Sequence, residues 1–151
     1  MLIDGTPCWQ SVEGVPSLVD GMVPGLSERW PASAVVTEVS RIEIAAEPAL
    51  LAVGRAGRSH FSLSATAAED DRLLFELACR LHEPPGWLGS VYRPLTAAGS
   101  VDSLADWHTV SPAGVATAKV PATITWAYEL TPAGIEARPP ASCGRLVFPS
   151  D

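Results

Sequence analysis

The sequence predicts an α+β fold, a twisted and partly curled antiparallel sheet of six to eight short strands with one principal helix packed on it. Three observations carry that expectation: a capped amphipathic segment over residues 66–83, alternating β-branched segments on either side of it, and a turn motif that occurs twice. In the segment T-A-A-E-D-D-R-L-L-F-E-L-A-C-R-L-H-E, Thr66 and Glu69 have the spacing of a capping box, each side chain reaching the other residue's amide. Acids at Glu69, Asp70 and Asp71 and bases at Arg80 and His82 suit the two ends of a helix dipole. Leu74, Leu77, Ala78 and Leu81, widened by Leu73, make an apolar stripe at i, i+3, i+4, i+7, and Pro84-Pro85-Gly86 closes the segment. A helix with one apolar face needs a surface to lie on, and the flanking strands supply it.

Ser33 to Ala46 is rich in β-branched residues, but Val35, Thr37 and Val39 differ in parity from Ile42 and Ile44. A bulge near Ser40 and Arg41 reconciles the two faces. Ala49–Val53 and His60–Ser64 read as a hairpin about the turn Gly54-Arg55-Ala56-Gly57-Arg58. Trp87–Leu95 gives a further strand and Thr96–Ser103 a loop, while Arg145–Phe148 adds a last short strand. Val110-Ser-Pro-Ala-Gly-Val115 and Leu130-Thr-Pro-Ala-Gly-Ile135 share one pattern, in which Ser or Thr opens a turn, Pro fixes φ and Gly supplies a left-handed position. Between them Ile124, Trp126, Tyr128 and Leu130 alternate with Thr123, Thr125, Ala127 and Glu129, the cleanest strand pattern in the chain.

A length of 151 residues fits a single domain, comprising a Pro/Gly-rich ordered arm over 1–31 and a helix-on-sheet core over 32–151. Hydrophobic residues make up 47% and charged ones 18% of the chain, against about a quarter charged in an ordinary soluble domain. Part of the surface is therefore apolar, and an oligomer interface, a permanent partner or an open apolar pocket would account for it. Among the five Trp, Trp9 and Trp30 in the apolar arm are the candidate interface residues. A net charge of -7, with Lys119 the only lysine, excludes a phosphate backbone as partner. The start of the sequence has neither a basic n-region nor a long apolar run, so no membrane segment and a cytoplasmic location are expected. Cys8, Cys79 and Cys143 read as reduced thiols, Cys79 as a small core residue.

Candidate chemistry centres on Asp106-Trp107-His108. On a strand Asp106 and His108 share a face, and an aspartate beside an imidazole fixes its tautomer and raises its basicity. Tyr92 and Arg93 would complete an acid/base site by steadying developing negative charge. Trp126, Tyr128 and Trp107 are candidate walls of a pocket for an apolar small molecule, or core packing under the helix. Arg55 and Arg58 with nearby amides could hold an anion. No spacing of His and Cys suits a metal, no nucleophile elbow is present, and no cofactor is called for. Two readings of function follow. The first is a non-catalytic interaction or assembly subunit, either a homo-oligomer or a component of a larger complex. The second is a small cyclase- or isomerase-like enzyme with His108 as base in an apolar pocket.

Overall fold

A computed structural model describes residues 2–3, 6–7, 9–11, 35–44, 47–56, 58–69, 71–82, 84, 88–94, 108–113 and 118–140. In chain order its strands are β1 (Leu2–Ile3), β2 (Thr6–Pro7), β3 (Trp9–Ser11), β4 (Val35–Ile44), β5 (Glu47–Ala56), β6 (Ser59–Ala68), β7 (Arg72–Leu81), β8 (Ser90–Pro94), β9 (His108–Val110), β10 (Ala122–Thr131) and β11 (Gly134–Arg138). Six of them form the main sheet in the order β11-β10-β7-β6-β5-β4, every neighbouring pair antiparallel. Strands β4 to β7 are a simple meander. The chain then leaves to contribute β8 and β9 to a three-stranded sheet in the order β3-β8-β9, and returns to place β10 beside β7. A short pair, β1 with β2, stands apart.

The expected helix over 66–83 is not formed, and the described residues contain no helix at all. Thr66 lies within β6, Glu69 and Asp71 belong to a tight turn, and residues 72–81 are a strand hydrogen-bonded on both sides, to β6 and to β10. The leucine-rich segment satisfies two periods at once. Leu73, Phe75, Leu77, Cys79 and Leu81 alternate just as regularly with Arg72, Leu74, Glu76, Ala78 and Arg80. Pairing on both edges satisfies the backbone groups that a helix would have satisfied internally, and β-neighbours bury the odd-numbered face. The acidic residues that suited a helix start serve the turn instead. Asp71 takes a left-handed φ of 56°, a conformation Asp tolerates better than most residues, and Arg72 Nε donates to the Glu69 carbonyl at 3.0 Å.

Other elements lie close to where the local pattern puts them. β5 and β6 form the anticipated hairpin, but its tip is shorter: Gly54, Arg55 and Ala56 are strand residues. The bulge in β4 sits between Val36 and Glu38, a few residues earlier than the parity change suggests. β8 starts at Ser90, while Trp87 and Leu95 lie outside the described residues, as do 96–103, 145–148 and most of the arm. At the β10–β11 turn the Thr131 hydroxyl accepts from the amides of Ala133 and Gly134, both at 3.1 Å. That is the turn chemistry the motif implies. Gly134 itself opens β11 outside the left-handed region, so its conformational freedom is not what closes the turn.

The core lies between the two sheets. Phe61, Leu77, Cys79, Leu81, Trp126, Tyr128 and Leu130 of the main sheet pack against Trp9, Leu88, Tyr92 and Val110. Trp9 Nε1 donates to the Thr131 carbonyl at 2.7 Å and so ties β3 to the end of β10. Cys79 is a free, fully buried thiol whose pKa burial pushes up to about 12. The left-handed Asp71 separates the two architectures experimentally. D71G should leave the urea midpoint unchanged or raise it, whereas in a helix interior glycine would cost about 1 kcal/mol.

Candidate functional site

The core side of the main sheet is wider than the small sheet that covers it. Over the Leu77–Leu81 half of β7, Trp126, Tyr128 and Leu130 of β10 and Phe61 of β6 the core side is buried, and the aromatic residues there interlock. Tyr128 stacks on Phe75 with centroids 5.2 Å apart, Trp126 meets Phe61 edge-on at 6.4 Å, and the Tyr92 and Tyr128 hydroxyls are 2.6 Å apart in a buried hydrogen bond. Burial raises the Tyr128 pKa, against the hydrogen bonds of Ser90 and Tyr92, which lower it. Tyr128 is therefore neutral at physiological pH, and its hydrogen bond with Tyr92 acts as a fastening between the sheets.

Beyond Tyr92 the same face continues as an open apolar trough of about 590 Å³ crossing β4 to β7. Leu63, Leu73 and Phe75 form its deep end, and Val39 and Leu50 its outer rim. Arg41 is the only charged residue in the lining, and the only other polar one is Tyr92. The rim is strongly exposed, Val39 at 58% and Leu50 at 49%. Ile44 and Val53, on the opposite face by strand parity, are exposed as well. Thus the exposed large hydrophobic residues among those described all lie on β4 and β5, and they occupy both faces of that end of the sheet.

The outer face of the main sheet carries the strongest polar feature. Glu129 is only 7% exposed and is held by Arg72, whose Nη1 lies 2.9 Å from Oε1, and by Arg138 on Oε2. Partial burial works to raise the Glu129 pKa, but the hydrogen bond from Arg72 and the charges of Arg138 and Arg72 outweigh it, leaving the group below its ordinary value. This cluster fastens β7, β10 and β11 together.

The residues singled out by sequence fall into distinct places. Tyr92 and His108 are cross-strand partners on β8 and β9, but His108 is exposed and packs edge-on against Trp9 with centroids 4.9 Å apart. Arg93, adjacent to Tyr92 on β8, has the opposite strand parity. Of these three only Tyr92 lines the trough. Asp106, Trp107 and Trp30 lie outside the described residues. Trp126 and Tyr128 are buried in the core, and Trp9, named for an interface, is 4% exposed within the chain's own core. Arg55 is exposed on β5 opposite His60, and Arg58 is exposed at the hairpin tip. The structure also brings His60 and His82 together, ring centroids 6.1 Å apart, yet among the described residues no three ligating side chains gather as a metal site would need. The trough and the Glu129 cluster escaped sequence reading, because both depend on strand neighbours distant in the chain.

Comparison of the chain with protein-family models, with curated proteins and with solved structures finds no match. No helix among the described residues is long and apolar enough to cross a membrane.

Two measurements check the energetics of the site's surroundings. Tyr92→Phe and Tyr128→Phe should each lower stability by about 1 kcal/mol, and the double variant by less than the sum, since one shared hydrogen bond is counted in both. For Glu129, a carboxyl pKa lower in the folded than in the unfolded chain stabilises the fold above the unfolded value, and that stability is lost as pH falls through the folded value. Denaturant midpoints should therefore drop as pH is lowered below about 4.5, the group's ordinary value, while E129Q should be less stable at neutral pH and show a shallower acid dependence.

Proposed function

We propose that this protein is a non-catalytic interaction module that uses the β4–β5 end of its main sheet as a contact surface. The observation that carries the reading is the concentration of exposed Val39, Ile44, Leu50 and Val53 on those two strands. Ordinary soluble domains scatter single apolar residues over the whole surface, whereas here they gather at one margin of the sheet, which marks a place that another molecule covers. Completing the burial of Val39 and Leu50 would gain about 1 kcal/mol for each, enough in combination with strand pairing to favour association.

Two further features support a protein contact. Exposed apolar side chains on both faces of one sheet margin suit a partner that continues the sheet and lies alongside both faces, more than a small molecule seated on one of them. The aromatic residues available for acid/base work are engaged with one another: Tyr92 with Tyr128, and His108 with Trp9.

The reading is tested by placing a photo-crosslinking residue at Val39 in the native cells, with the same substitution at exposed Glu136 on β11 as the control. Adducts of defined mass are expected from position 39 and not from position 136. Absence of any intermolecular adduct at 39 would refute the contact surface.

A further inference from the structure

We propose that the partner is a second copy of this chain, paired antiparallel along β4 with Ile42 on the two-fold axis. This rests on the reading of the β4–β5 end as a contact surface and names what covers it. Among the described residues β4 pairs only with β5, so the other margin of its Val39–Ile44 stretch has no strand partner among them. Natural sheets blunt such margins with short strands, proline, bulges or charged side chains, lysine above all. The opposite margin is treated that way, since β11 has five residues and runs into Pro139 and Pro140. β4 contains neither proline nor lysine, and its bulge lies near its start, leaving Val39–Ile44 regular.

The register follows from charge. In a two-fold antiparallel pair, residues facing each other must have the same parity, so the axis passes through a single position of the strand. Placing it at Arg41 or Glu43 sets like charges against each other. Placing it at Ile42 sets Arg41 opposite Glu43 of the second copy and Glu43 opposite its Arg41, while Ser40 faces Ile44. Within the chain itself neither side chain is engaged in an ion pair among the described residues, and both are exposed. An axis at Val39 or Ser40 leaves both charges opposite uncharged residues. The sequence Arg41-Ile42-Glu43 is therefore self-complementary about its own centre, and Arg41, the one charge lining the trough, gains a counter-ion at the trough's rim.

Sedimentation of the full chain tests this with four proteins: wild type, R41E, E43R and the double variant R41E/E43R. Both substituted positions are exposed, and circular dichroism checks that each protein keeps its β signature. The expected result is a two-chain mass for wild type, a dissociation constant raised about tenfold or more in each single variant, and recovery to near the wild-type value in the double variant, because reversal of both charges restores opposite signs across the axis. A two-chain mass insensitive to all three substitutions would overturn the β4 register. A single-chain mass for wild type at every concentration would overturn the second copy as partner. In that case adducts from position 39 to a different protein would leave the contact surface standing, whereas their absence would remove it too.

Discussion

The constraint on which the structure depends is an unequal match between two sheets. Alternation in β6, β7 and β10 commits every second residue to one side of the main sheet, and that side carries most of their large apolar residues. The cover available to it is made of β3, β8 and β9, none longer than five residues. Trp9, Tyr92 and Val110 reach Leu77, Trp126 and Tyr128, and beyond them the covering strands stop. A smaller main sheet would have been sealed by this cover; one of six strands leaves a remainder. The trough is that remainder, and its position next to β4 follows from β8 and β9 being inserted between β7 and β10, at the other end of the strand order.

Fastened core and exposed apolar surface are consequently separated along the sheet. The β7–β10–β11 end holds the buried aromatic residues, the tyrosine pair and, on its reverse side, Glu129 between two arginines. A carboxylate held by two guanidinium groups is costly to break, since removing either cation leaves charge without its full complement. Among the described residues the β4–β5 end has neither such clusters nor a full apolar cover. Substitutions there change the surface without touching the fastened part of the core.

How far this was legible in the sequence depends on how local each signal is. The β5–β6 hairpin and the Thr131 turn are set by residues within a few positions of one another, and β10 announces itself by strict alternation from Thr123 to Leu130. The segment after Thr66 failed as a prediction because Leu73, Leu77 and Leu81 fit periods of both 3.6 and 2, and Thr66 and Glu69 have an independent use as strand and turn residues. Deciding between the two required knowing that β10, which begins about four dozen residues later, would supply a second edge for β7. Tyr92, Trp126 and Tyr128 were recognisable as an aromatic group, although their engagement with one another was not. The trough was invisible, since a row of Val, Leu and Ala reads the same whether another layer lies on it or not.

The difference between the two margins of the main sheet bears on how large any assembly can grow. An open sheet with two equivalent long margins can add neighbours indefinitely, which is the geometry of fibres. Here one margin ends in a five-residue strand followed by Pro139 and Pro140, residues that lack the donor a further ladder would need. Joining two β4 strands would use up the long margin of each copy and leave, among the described residues, proline-flanked ends facing outward. The fold thus permits association while building in its own terminator.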